Sequence, residues 1–417
     1  MQDGTAIWGY EEFSPDTPRI ALVEVTQALR RACRHGHSHD RCTHGVRREP
    51  GFARQIGCPG YDNQQRLLND CYATCDLEQP TRFGRHCSEQ SGQTERLSEL
   101  DQFQHLQRRK QRVMTNSAIW TAWSCRVRVT VTRKDVLDDA TRQLTELMAD
   151  VSRAANRFDP ESDLSRINAA AGQMVPVTGR TLALVDAALD AADVTGGAVD
   201  PTIGGHLLHA GYRADIDEIR DRLVPEGLVN ERIDQADWTQ VRVNRQLGLI
   251  GVPVTMRLDL GATAKAWTAD TAAHGIAQSL GTGVLVEIGG DVAVAGTKST
   301  PWQILVSERH GERGQDIGLT HGGLATSSTT ARRWRTSRGE QHHIIDPRTG
   351  EPAQGPWRTA TVWAPSAVEA NTMSTAVIVL GDEAIDFLAE TGSAARLIDQ
   401  HGQPTVVGQW PSLREVA

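Results

Sequence analysis

The sequence predicts an α+β fold, with mixed or antiparallel sheets packed against helices. Three observations lead there. Several segments of strand character follow one another across short turns, which disfavours a regular alternation of strand and helix. The helical stretches are long, apolar at helical spacing, and in two cases closed by glycine. No repeat of solenoid length and no low-complexity tract interrupts the text.

Composition changes near residue 114. Residues 1–113 are rich in Arg, His, Gln and Cys with little periodicity, as in RACRHGHSHDRCTHGVRREPGFARQIGC. Buried apolar faces are hard to build from such text. This part is expected to be a poorly ordered N-terminal extension without a conventional core, Met114 being an alternative start, and 114–417 the folded domain. Cys33, Cys42, Cys58, Cys71, Cys75 and Cys87 all fall in the extension, and only Cys125 follows, so disulfides cannot staple the main body. No C-x-x-C pair is present, and a structural zinc site is not signalled.

The domain opens with CRVRVTVT (125–132), alternating like a strand, and VLDDATRQLTELMADVSRAANRF (136–158), patterned like a helix. TLALVDAALDAADVTGG (181–197) and ATAKAWTADTAAHGIAQSLG (262–281) read as further helices, the latter ending at Gly281. VLVEI (284–288), VAVAG (292–296), WQILVS (302–307) and TATVWA (359–364) are apolar strands.

A chain of 417 residues with 39% hydrophobic content can bury a core large enough for an enzyme. Its formal charge of -8 and pI near 6.0 provide no broad basic field, so nucleic acid is not an expected partner. No apolar run reaches the roughly 18 residues of a membrane span, and the start lacks the order of a secretory signal. A cytoplasmic protein with a small-molecule or protein partner is expected, without membrane insertion.

Five groups of segments carry candidate chemistry. In NRFDPESDLSRINAAAG (156–172), Asp159-Pro160 makes a turn and Asp163 can cap the following helix. In GGAVDPTIGGHLLHAGY (196–212), two glycine pairs bracket Asp200; they either open the backbone to a flavin or phosphate or simply make a turn. In RLDLGATAKAWTAD (257–270), a strand delivers Asp259 to Gly261 and a helix begins, whose free N–H groups, with Lys265 one turn in, suit a diphosphate. VLVEIGGDVAVAG (284–296) sets Gly289, Gly290 and Asp291 between strands, as a hairpin turn or a ligand contact. Last come LATSSTTARRW (324–334), HHIIDPRTGEP (342–352) and EANTMSTAVIVLG (369–381). Here His343 stands at a strand end, and Asn371 and Thr375, four apart on a helix, offer two oxygen ligands to a cation.

AVDPTIGG, LDLGATAKAWTAD, EIGGDVAVAG, HIIDPRTGEP and EANTMSTAVIVLG, in this order, resemble the ApbE family of FAD:protein FMN transferases, over about residues 117–408. The order is more specific than any single motif. The resemblance implies a single α+β domain with FAD as substrate in a cleft and Mg2+ beside its diphosphate. It implies that Ala198, Val199 and Asp200 line the flavin site, that Asp259 and Lys265 contact FAD, and that Ile345 packs against it. Trp123 and Phe158 fall where the family places a Met and an aromatic near the flavin. The metal would lie between the Ala262 carbonyl, Asn371 and Thr375, and His343 matches a family histidine thought to assist the transfer. The chain departs from the commoner motif in having Asn371 where Asp is usual, so a carboxylate such as Asp259 or Asp291 would have to compensate. Ala266 replaces the usual Gly after the Lys.

The implied activity is transfer of FMN from FAD to a Thr or Ser hydroxyl of a target flavoprotein, with AMP leaving. Water in place of the hydroxyl would make the chain an FAD diphosphatase, and a chain without catalysis would be an FAD-binding protein. No dinucleotide fingerprint follows a strand, which disfavours a dehydrogenase.

Overall fold

The computed structural model describes residues 116–411, apart from 221, 225–231, 309–311 and 313, together with a short strand, β1 (Glu12–Phe13). The chain divides into two units, residues 1–15 with 113–417, and residues 16–112. The second unit, and with it all of the expected extension except β1, lies outside the described residues.

The first unit is built on a wholly antiparallel eight-stranded sheet. Its strands are β2 (Ser117–Ala122), β3 (Cys125–Val131), β7 (Val284–Ile288), β8 (Asp291–Ala295), β11 (Gly322–Ser328), β14 (Trp357–Ala364), β15 (Ala394–Asp399) and β16 (Pro404–Val407), in the order β16-β15-β14-β11-β8-β7-β3-β2. Smaller sheets join β4 (Val175–Pro176), β5 (Arg242–Asn244) and β6 (Leu249–Gly251), and β1 with β9 (Trp302–Val306) and β10 (Gln315–Leu319); β12 (Arg333–Thr336) and β13 (Gly339–His342) form a hairpin. The helices are α1 (Leu137–Ala155), α2 (Asp163–Ala169), α3 (Gly179–Val194), α4 (Gly204–His209), α5 (Ile216–Ile219), α6 (Ala264–Leu280), α7 (Ala367–Leu380) and α8 (Ala384–Glu390).

The apolar runs in the middle strands follow from burial on both faces. Val127, Val129 and Val131 of β3 and Val284, Val286 and Ile288 of β7 meet Leu144 of α1 and Ala269, Ala273 and Ile276 of α6. On the opposite face Leu285, Val292, Val294 and Leu324 pack on Trp302, Ile304 and Ile317 of the β9–β10 layer. VLVEI is thus buried throughout, including Glu287, which pairs with Arg128 at 3.0 Å.

Helix α7 lies on β11 and β14, and its entry is tightly specified. Ser366 accepts from Glu369 N at 3.1 Å as N-cap, while Asp270, from α6, accepts from Ala367 N and Val368 N at 2.9 Å each. The two helices are therefore fixed to each other at the turn that carries Asn371.

Two expectations need correction. Ser162, not Asp163, caps α2, accepting from Ser165 N at 3.1 Å; the Asp163 carboxylate reaches forward to Thr178 N and Thr181 Oγ1 at the start of α3. The segment before Asp259 is extended with one bridge, Ile203 to Arg257, and forms no strand. The turn at Asp159 is present, closed by Ser162 N to Asp159 O at 3.2 Å.

Candidate active site

Residues from both ends of the domain converge on one cleft of about 400 Å³. Its floor and walls come from the β2–β3 turn, the end of α1, the 198–203 loop, the entry to α6, the β7–β8 turn, β11 and α7. Asp200, Lys265, His343 and Thr375, expected together from four separate motifs, all line it. So do Trp123, Phe158, Ala198, Val199, Asp259, Ala262, Ile345 and Asn371.

The polar end centres on Asp291, the first residue of β8 after the Gly289-Gly290 turn. This carboxylate is 1% exposed, holding Lys265 Nζ at 2.7 Å on Oδ2 and Asn371 Nδ2 at 2.6 Å on Oδ1. Asn371 and Thr375 share a face of α7, with Thr375 Oγ1 3.5 Å from Asn371 Oδ1. Ser327 Oγ, from β11, lies 3.0 Å from Thr375 Oγ1. The amide at 371 therefore has a carboxylate beside it, and that carboxylate is Asp291 rather than Asp259. Asp259 is engaged elsewhere, accepting from Gly261 N at 2.8 Å and pairing with Arg157 Nε at 3.2 Å.

Asp200 organises its own loop. Its Oδ1 accepts from Thr202 N at 2.7 Å and Thr202 Oγ1 at 2.6 Å, and its Oδ2 from Trp238 N at 3.1 Å. The bracketing glycines serve the backbone: a Cβ on Gly204 would lie 2.7 Å from Arg257 O, and Gly197 takes a φ of 86°. Gly289 and Gly290 form the β7–β8 hairpin turn, the first of the two readings of that motif, and also line the cleft.

His343 follows the last residue of β13, at the strand end its sequence context suggested. Burial, then the charges of Arg332, His342 and Lys265, push its pKa well below the ordinary value, so the imidazole is neutral at physiological pH. Its Nδ1 is buried without a hydrogen-bond partner among the described residues. A neutral imidazole beside cationic groups suits a proton acceptor better than a charged donor.

The other end is aromatic. Arg157 lies 4.3 Å from the Phe158 ring centroid and 4.2 Å from that of Tyr212, which stacks on Trp334. Trp123 and Ser124 form the two-residue turn between β2 and β3, both with positive φ (54° and 53°), a hairpin geometry that usually takes Asn or Gly. Side chains hold it there: Trp123 Nε1 donates to Ser152 Oγ at 2.9 Å, and Ser124 Oγ binds Asp215.

Arg157, Arg332, Tyr212 and Ser327 line the cleft and were not placed in the site by motif reading. Arg332 and Ser327 lie inside the LATSSTTARRW segment and Arg157 beside Phe158, so proximity to a motif was the available signal. Ala262, Asn371 and Thr375 line the cleft with Asp291 behind Asn371, so oxygen donors of the kind a hard divalent cation takes are present there. Among the described residues no group of three His, Cys, Asp or Glu side chains is gathered, so a transition-metal cage is not formed there.

A family model described as the ApbE family matches residues 121–397. The chain is similar to an FAD:protein FMN transferase of Treponema pallidum, 31% identical over 252 residues that cover 55% of this chain and 67% of that protein. It is likewise similar to an FAD:protein FMN transferase of Haemophilus influenzae, 27% identical over 267 residues, covering 61% of this chain and 77% of that one. The crystal structure of the ApbE protein from Thermotoga maritima superposes with a TM-score of 0.62 at 26% identity, covering 70% of this chain and 96% of that one. The fold seen above, the order of the motifs and the extent of the match agree, and the chain belongs to the ApbE family.

Proposed function

We propose that this chain transfers FMN from FAD to a Thr or Ser hydroxyl of a target flavoprotein. The observation that carries the reading is the convergence of Asp200, Asp259, Lys265, His343, Asn371 and Thr375 on one cleft from segments spread over much of the domain. Relatives named FAD:protein FMN transferases support it.

In this reading Ala198, Val199 and Ile345 supply an apolar wall for the isoalloxazine, with Trp123 and Phe158 at its edge. The free N–H groups at the start of α6 and the Lys265 ammonium face the diphosphate. The Ala262 carbonyl, Asn371 and Thr375, backed by Asp291, hold Mg2+. When bound, the ion offsets charge on the phosphate oxygens. His343 takes the proton of the acceptor hydroxyl; that oxygen forms a bond to the FMN-side phosphorus as the bridging P–O bond breaks, and AMP leaves with the bridging oxygen. Among the described residues no helix is long and apolar enough to cross a membrane.

The test is incubation of the chain with FAD, Mg2+ and a flavoprotein carrying an exposed Thr or Ser. Flavin fluorescence that stays on the acceptor through a denaturing gel is expected. Release of AMP without acceptor labelling would identify a diphosphatase instead, and FAD binding without either product a binding protein.

A further inference from the structure

Four cationic side chains line the cleft, and three are neutralised at close range: Lys265 by Asp291 at 2.7 Å, Arg157 by Asp259 at 3.2 Å and Arg220 by Asp217 at 3.6 Å. The fourth, Arg332, has no carboxylate within salt-bridge distance among the described residues. Its hydrogen bond runs from Nη2 to the Trp123 carbonyl at 3.4 Å, a long contact that leaves most of the guanidinium's donors free. Asp215 and Asp291 act on it only from further away.

We propose that Arg332 recognises the phosphate of the flavin nucleotide, gripping the phosphoryl oxygens that His343 faces while Lys265 and the cation site serve the other side of the diphosphate. This rests on the flavin-transfer reading and names the residue that discriminates a phosphorylated flavin from a bare one.

The chemistry follows from what a half-buried guanidinium requires. Removed from bulk water, its charge is costly unless an anion meets it, and its planar fork matches two phosphoryl oxygens at once. Its position is set from two directions. The Trp123 carbonyl ties it to the β2–β3 turn, and it follows β11 in the same stretch as Ser327, whose hydroxyl touches Thr375. It also acts electrostatically on the His343 imidazole, so the fixed cation and the proton acceptor share one region of the cleft. Charge accumulating on the attacked phosphoryl group would therefore meet a preplaced donor fork.

Arg332→Gln and Arg332→Lys separate this role from a purely structural one. Binding of FAD, FMN and riboflavin, which share a ring system and differ in phosphate, is measured by flavin fluorescence with each protein, together with AMP release at saturating FAD. Arg332→Gln should weaken FAD and FMN by at least tenfold and leave riboflavin within about twofold. Arg332→Lys should recover part of the loss through charge alone. Equal weakening of all three ligands would overturn the proposal, since it would show that Arg332 acts by holding the Trp123 turn; so would unchanged FAD affinity and AMP release. If the unsubstituted chain binds no FAD, the flavin-transfer reading itself fails, which is a separate outcome.

Discussion

Replacing Asn371 by Asp tests the polar end of the cleft most directly. The amide now donates to Asp291 at 2.6 Å, and both side chains are buried, 5% and 1% exposed. Asn371→Asp exchanges that donor for a second carboxylate. Two unit charges about 3 Å apart repel by about 5 kcal/mol at an effective dielectric constant of about 20. Retaining one proton is the alternative, and lifting a carboxyl from about 3.9 to above 7 costs about 4 kcal/mol at about 1.36 kcal/mol per pH unit. Lys265, already on Asp291, offsets part of either cost. A net loss of about 2–4 kcal/mol is therefore expected without divalent cation, or on the order of 4–8 °C in melting temperature for a domain of this size. With millimolar Mg2+ the added charge should bind the ion more tightly, and mass action should narrow or reverse the gap. Thermal denaturation of both proteins in EDTA and in Mg2+ gives the comparison, with calorimetric Mg2+ titration beside it. An equal drop in both buffers, or none in EDTA, would refute the reasoning.

Other expectations follow from the same geometry. His343→Ala should lower the transfer rate by about 10²–10⁴ while FAD affinity stays within about threefold; a comparable loss of binding would make the residue structural. Burial pushes the pKa of His342 from its ordinary 6.5 down to about 4. As a base depressed in the fold, it lets the unfolded chain take up a proton first, so its contribution is full above pH 6.5 and declines towards pH 4, by about 3 kcal/mol. Urea midpoints at pH 7 and pH 4.5 should show that decline, smaller in His342→Gln, and a flat response would contradict the burial of this ring. Gly323→Ala would bring a Cβ to 2.2 Å from Ala367 N, so α7 must shift off β11. A loss of about 3 kcal/mol is expected, and an unchanged melting temperature would speak against the close approach of strand and helix.

Much of the domain was legible because its elements carry strong local signals. The helix expected over 262–281 is found at Ala264–Leu280 with Gly281 in the left-handed region, and VLVEI and VAVAG became neighbouring antiparallel strands. The pairing of β8 with β11, and of β11 with β14, was not legible: nothing local in a strand names its partner across dozens of residues. The same division holds in the cleft. Glycine, His343 and the Asn371–Thr375 spacing announced themselves in sequence, whereas Arg332 became a cleft residue only once β11 and the β2–β3 turn were brought together. Asp200 shows the converse, a motif carboxylate whose oxygens accept from backbone N–H groups, that of Thr202 in its own loop and that of Trp238. The β2–β3 turn itself defied local rules, since Trp and Ser at positive φ are retained by tertiary contacts that propensity cannot register.

Asp291 stands on a middle strand and touches one side chain from each of two helices, and Asp270 ties those helices together. Such a keystone is useless in a partial arch. A nascent chain ending before α7 holds Lys265, Asp291 and His343 but not the Asn371–Thr375 pair. On the proposed reading, the site of the cation is therefore complete only once α7 has docked on β11 and β14.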